Sequence, residues 1–279
     1  MASTYAHYKF GNEIIKQLDE EVQDIIIKHI DIFNIGLHGP DILFYYKPLR
    51  ENKINTIGYK QHNIEAIEFM NNARIVINNE LNKEEYIAYS LGFICHFALD
   101  RTVHSYIEYM IQTSGATHTE IESELDRELL IKDGINPYTK NLAEHIKNKN
   151  VYNEIISKFW ENVSSENISK ALKTMYSDNK LLVCNNKLKR MFVKLVLLLS
   201  GNYKEMHGQI ISEKGIYICK KSTENLLIKF EEAEKLAVIL INDFCKKLYT
   251  DLKLEDRFDR HFSFYEEEIE DYKNKEKNQ

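Results

Sequence analysis

A shortage of turn-forming residues constrains this chain more than any other feature. Only 10 glycines and 3 prolines occur in 279 residues. Average usage is about 7% and 5%. Sandwiches and barrels need turn chemistry about every 8–12 residues, and disordered linkers are richer still in these residues. The expectation is therefore an all-α protein. Periodicity agrees. Ile14, Ile15, Leu18, Val22, Ile25, Ile26, Ile30 and Phe33 place a broad apolar face along residues 13–34. Further helical patterns run over residues 62–79, 83–113 and 117–131, with Gly115 placed as a C-cap. The clearest later ones are 181–199 and 223–248. Residues 36–58 hold two of the three prolines and the run Phe44-Tyr45-Tyr46, and read as an ordered loop. With 43% apolar residues the core can be large, and one helical domain over residues 1–264 is expected. Asp133 to Pro137 marks the best division within it. The charged tail, 265–279, is expected to fray.

Charge and targeting narrow the function classes. The net charge is −6 and the pI near 6.0, whereas nucleic-acid coats are usually basic. No stable nucleic-acid complex is expected, although a metal can supply positive charge locally. The first 21 residues lack a basic start and an apolar run, so no signal peptide is expected and the location is read as cytoplasmic. The most apolar window, Met191 to Leu199, is interrupted by Lys194 and is far shorter than the roughly 18 residues of a membrane span. The four cysteines, Cys95, Cys184, Cys219 and Cys245, show no CxxC spacing and read as free thiols.

The histidines carry the chemistry. The run GFICHFALDRTVHSYI places His96, Asp100 and His104 at i, i+4 and i+8. Each step drifts only about 40° around a helix, so the three share one face. The next helix offers His118 and Glu122 at i and i+4. Asp41, His62 and His7 lie upstream. A lone His-x3-acid pair means little, because ten histidines and 43 acidic residues produce one or two by chance. The surroundings add weight. Phe93, Ile94, Cys95, Phe97, Ala98 and Leu99 flank His96 and Asp100, and a carboxylate buried there needs a partner or a metal. Mixed imidazole and carboxylate suit zinc, iron or manganese, and two or three closely spaced metals suit phosphoester chemistry. The Glu-x-x-His signature of carboxylate-bridged di-iron bundles is absent. So are His-Glu-x-x-His, an adjacent His-Asp pair and a phosphate-cradling glycine loop. His29, His145, His207 and His261 lack organised partners and read as structural.

In this order and spacing the residues resemble the zinc-dependent phospholipase C family, and GLHGPDILFYY and GFICHFALD resemble its intracellular branch. That family shares its all-helical fold with the single-strand-specific zinc nucleases. The resemblance implies metal ligands at His7, Asp41, His62, His96, Asp100, His104, His118 and Glu122. One position would be built by Asp41, His62, His96 and Asp100. A second would use His104, His118 and Glu122. A third would use His7, with Asp100 bridging. Asp41 would also orient the attacking water or act as its general base. Secreted members add an N-terminal amine to the third position. Here His7 follows six other residues, so two tightly bound zinc ions and a weak or absent third are expected. Ile42 stands where choline-specific enzymes carry an aromatic residue.

The expected function is metal-dependent phosphoester hydrolysis, most simply of a phosphodiester, with a phospholipid head group or a nucleotide as substrate. Phe44, Tyr45 and Tyr46 are candidate substrate contacts, by cation–π contact with choline or by stacking on a base. Two alternatives stand beside it: a single-strand nuclease or nucleotide phosphatase, and a non-catalytic helical protein stabilised by zinc.

Overall fold

The computed structural model describes residues 3–277 apart from residue 213. Thirteen α-helices occur among the described residues, and no strand. They are α1 (Thr4–Ile15), α2 (Glu20–Lys28), α3 (Ile30–Gly36), α4 (Lys53–Gln61), α5 (Ala66–Asn78), α6 (Lys83–Ser114) and α7 (His118–Lys132). Beyond these come α8 (Asn150–Ser157), α9 (Ser165–Leu182), α10 (Lys187–Leu199), α11 (Tyr203–Met206), α12 (Lys220–Lys247) and α13 (Glu266–Lys277).

Helix α6 is the axis of the fold. At 32 residues it is the longest element, about 48 Å at 1.5 Å per residue. Every residue from Tyr86 to Asp100 is buried, so this stretch is covered on all sides rather than lying amphipathically on a surface. Helices α1, α2, α3, α5, α8, α12 and α13 surround it. Gly115, with φ of 76°, ends it in the left-handed conformation expected of a C-cap. The approach of α3 is unusually close. A Cβ on Gly92 would lie 2.3 Å from the carbonyl oxygen of Phe33, and one on Gly36 would lie 2.3 Å from that of Tyr89. Glycine at both positions lets the two backbones touch, which fixes the loop after α3 against α6.

Three readings of the sequence change. The apolar stripe over residues 13–34 is divided among α1, α2 and α3, with breaks before Glu20 and at His29. A straight helix of that length would carry its ends off the core, and the breaks let the stripe bend around α6. The pattern at 181–199 is likewise interrupted. Asn186 accepts from Lys189 N and starts α10, while the Lys189 ammonium donates to the carbonyls of Lys180 and Val183 at the end of α9. Local capping therefore outweighs a continuous apolar pattern. The tail expected to fray is helical over Glu266–Lys277 and docks on α6. Ile269 is buried, Tyr272 packs against Tyr106 and Tyr109, and Arg101 pairs with Glu268. Two apolar residues at i and i+3, together with ion pairs to Arg101 and Lys221, seat a helix whose composition is otherwise charged.

The stretch 36–58 is ordered, as expected, though more than half of it is helical. Gly39–Tyr45 forms a 3₁₀ helix. Asn52 and Asn55 then make a reciprocal capping box at the start of α4.

Candidate metal centre

The site is built where α6 meets four other segments. His96, Asp100 and His104 lie on one face of α6, as their spacing requires. Asp100 is buried at the centre. Its Oδ1 lies 3.2 Å from His7 Nε2 and 3.7 Å from His104 Nε2. Its Oδ2 lies 3.1 Å from His96 Nε2 and 3.7 Å from His62 Nε2. Four imidazoles from α1, α6 and the end of α4 thus converge on one carboxylate. Asp41, in the first turn of the 3₁₀ helix, places Oδ1 3.0 Å from His62 Nε2. On the other side, His118 Nε2 lies 3.1 Å from Glu122 Oε1, and the His118 and His104 rings are 5.6 Å apart. All eight residues singled out in the sequence are therefore brought together. They form three groups able to surround a cation, the first two sharing His96: His7, His96 and Asp100; Asp41, His62 and His96; and, separately, His104, His118 and Glu122.

The backbone sets which nitrogen faces the centre. His62 Nδ1 donates to the Gly58 carbonyl at 2.9 Å, His96 Nδ1 to Leu37 at 3.2 Å, and His104 Nδ1 to Phe262 at 2.6 Å. A carbonyl can only accept, so each of these Nδ1 atoms carries the proton. In the neutral ring each Nε2 is then the lone pair aimed inward, the arrangement found in histidine ligands of metals. Helix α7 serves two groups at once. Thr117 caps it, so that His118 stands in its first turn. Asp126, one turn beyond Glu122, accepts from the Tyr5 and Ala6 amides at the start of α1 and so anchors the helix that carries His7.

The charges are mutually supporting. Burial opposes ionisation of Asp100, but His96, His104 and His7 hold its carboxyl well below the usual range. Asp41 is held at about 2: burial would raise it, and the His62 hydrogen bond with the His96 and His62 charges outweighs that. Glu122 is also lowered, with His118 overcoming burial. His7 and His62 are raised by the carboxylates they face, against burial. His104 is lowered, chiefly by burial. Even so, His96 Nε2, Asp100 Oδ2 and Glu122 Oε2 are buried with no hydrogen-bond partner. Inward-facing imidazole nitrogens and these buried, orphaned carboxylate oxygens are what a cation would satisfy. The donor set, imidazole with carboxylate, fits zinc.

A cleft of about 330 Å³ opens onto the centre, lined by Asp41, His62, Asp100, His104 and His118 together with Phe44, Tyr59, Asn63, Glu108, Ser263 and Phe264. Of the aromatic run, only Phe44 reaches this cleft, where its ring stacks 4.2 Å from Tyr59. Tyr45 points away into the core and its hydroxyl accepts from Asn179 at 3.3 Å. Tyr46 is half-buried beneath the Lys47 ammonium. Consecutive residues of a 3₁₀ helix point about 120° apart, so three in a row could not share one wall.

Several contributors escape a reading of the sequence. Phe262 and Ser263, some 160 residues from α6, donate both amides to the His62 carbonyl, and the Phe262 carbonyl fixes His104. No local signal marks such a contact. Tyr59 could have been found, since it stands three residues before His62. His145, read as structural, has an organised partner after all. Its Nε2 lies 2.7 Å from His38 Nε2, and its ring stacks on Tyr8. Burial lowers both imidazoles, His145 to about 3. They form a neutral pair behind His7, whose ring lies 6.3 Å from that of His38.

Comparison with known proteins agrees with this geometry. No curated protein and no solved structure matches the chain significantly. The family model described as zinc dependent phospholipase C matches residues 6–178, which include all eight candidate ligands and more than half of the sequence. An all-helical fold built around those ligands, matched over that span, places the chain in the zinc-dependent phospholipase C family.

Proposed function

We propose that this protein hydrolyses a phosphodiester at a zinc centre held by the eight residues above. One observation carries the reading: the buried Asp100 carboxylate faced by four histidine Nε2 atoms, three of them oriented by backbone carbonyls. Asp41, His62, His96 and Asp100 would hold one ion, and His104, His118 and Glu122 a second. His96 decides the standing of a third. Its Nδ1 is committed to Leu37, so its single free nitrogen serves either the Asp41 group or the His7 group. If it serves the former, His7 and a share of Asp100 are left, fewer than the three protein ligands usual for catalytic zinc. Two tight ions and a weak third follow.

Bound zinc supplies Lewis acidity toward phosphoryl oxygens and lowers the pKa of water. No Lys or Arg lines the cleft among the described residues, so the protein itself offers little positive charge to a phosphate. Asp41, ionised throughout the neutral range, accepts a hydrogen bond from the attacking water and orients it. Its low proton affinity suits orientation better than storage of the proton. Asn63 and Ser263 present polar groups to the substrate, while Phe44, Tyr59 and Phe264 give apolar walls.

Family membership favours a phospholipid head group. The half-exposed Tyr59, stacked on Phe44 at the rim, favours a base as the second reading. The open cleft argues against a closed, purely structural zinc site. Bis(p-nitrophenyl) phosphate tests the chemistry without choosing between these. Zinc-loaded protein should hydrolyse it with activity rising from acid to neutral pH. Chelation should abolish turnover, and Asp41→Asn should lower kcat about 100-fold with unchanged circular dichroism. Turnover indifferent to chelation and to Asp41→Asn would overturn the mechanism.

A further inference from the structure

The sequence and exposure of α10 mark it as unlike the other helices. Only Val193 and Leu197 of its 13 residues are buried, and they pack in a small cluster apart from the main core. Leu188, Met191, Phe192, Leu195, Leu198 and Leu199 are each at least half exposed. On a helical wheel these six fill an arc of roughly 120°, and Lys187 and Lys194 fall along one border of it. Water gives such a face no compensation, and exposed patches of this kind on soluble proteins mark interaction sites.

Charge decides what covers it. From Asn179 to Lys204 the sequence holds six Lys or Arg and no Asp or Glu, within a chain of net charge −6. An apolar arc edged by lysines matches a surface that is apolar inside and anionic at its boundary. A second copy of the same face would bring like charges together, and lysine is depleted at protein interfaces. Length points the same way. Thirteen residues reach about 20 Å, short of the roughly 30 Å hydrocarbon core, so the helix can lie on a bilayer without spanning it. No described helix is long and apolar enough to span one.

The patch is also continuous with the cleft. A groove of about 570 Å³ runs between Phe192 and Val196 of α10 and the loop that carries Leu49 and Arg50. Leu49 and Tyr59 line the adjoining depression, and Tyr59 forms the wall of the cleft over the metal centre. We infer that α10 docks the protein on an anionic lipid surface, with the 47–52 loop between the docked helix and the cleft. Docking so described is independent of the hydrolase reading.

Vesicle co-flotation tests it. Wild-type protein should bind vesicles of phosphatidylcholine and phosphatidylserine in equal parts more tightly than pure phosphatidylcholine, and added salt should weaken the difference. Phe192→Gln with Leu195→Gln should lower binding at least about tenfold on both. Lys187→Gln with Lys194→Gln should lower it about fivefold per lysine on the anionic vesicles only. All four positions are outside the centre, so hydrolysis of soluble bis(p-nitrophenyl) phosphate should not change. Binding that neither variant alters would overturn the docking. So would a wild-type dimer that ignores vesicles and dissociates with Phe192→Gln and Leu195→Gln. Inactive protein that still binds would support docking while refuting the hydrolase.

Discussion

Asp100 and Glu108 sit two turns apart on α6 and show what position does to a carboxylate. Asp100 is buried among four imidazoles, whereas Glu108 stands at the cleft rim and accepts from Gln112. Asp100→Asn keeps the volume but removes the charge that the histidines face. Most of the bound zinc should be lost from that variant, and Glu108→Gln should retain it. Elemental analysis of both proteins checks this, and equal losses would remove Asp100 from the centre. Protons should compete at the same residues. In metal-free protein, raised His7 and His62 contribute stability that is complete below about pH 6.5 and lost as pH rises through their folded values. Lowered His38, His104 and His145 contribute stability present above about pH 6.5 and lost as pH falls below it. Both sets predict a stability maximum near pH ~6.5 for the metal-free form. Zinc requires deprotonated imidazole, so the loaded form should continue to gain stability toward pH ~8. Thermal unfolding across pH, with and without chelator, would expose a missing maximum or parallel curves.

Elements matter here through what they hold in place. Residues 259–264 return across α6, and Phe262 joins them to the centre twice: its amide donates to the His62 carbonyl and its carbonyl accepts from His104 Nδ1. The ring is fully buried against Phe93 and Phe97. Phe262→Ala should cost about 3–5 kcal/mol of stability and weaken zinc retention about 10–100-fold. Denaturant titration and chelator competition read the two effects separately, and unchanged retention would show that the backbone stays in place without the ring. This contact also shows where sequence reading stops. His96, Asp100 and His104 were legible because a helix turns fixed spacing into a shared face. His118 and Glu122 were legible because their spacing is local, whereas the capping role of Thr117 emerged only from the structure. The return of residues 259–264, the His38–His145 pair and the seating of α13 on Ile269 and Tyr272 depend on how the helices assemble, and nothing nearby in the sequence encodes that. The pattern at 181–199 misled for the opposite reason, since the local cap at Asn186 breaks an apolar run that periodicity alone would continue.

At the scale of the whole molecule, one side combines an open cleft, the 47–52 loop and the exposed face of α10, while the buried half of α6 holds the ligands rigid beneath. Buried placement of the donors and an exposed, apolar approach surface would serve hydrolysis of a substrate presented at an interface. The arrangement stands or falls on the metals. Anomalous diffraction above and below the zinc edge, on crystals of protein purified without chelator, gives their identity, number and neighbours together. Two strong zinc peaks should appear, one among Asp41, His62, His96 and Asp100 and one among His104, His118 and Glu122, with a weak or missing third beside His7. Absence of any zinc peak among these residues, or peaks confined to other parts of the fold, would contradict the account.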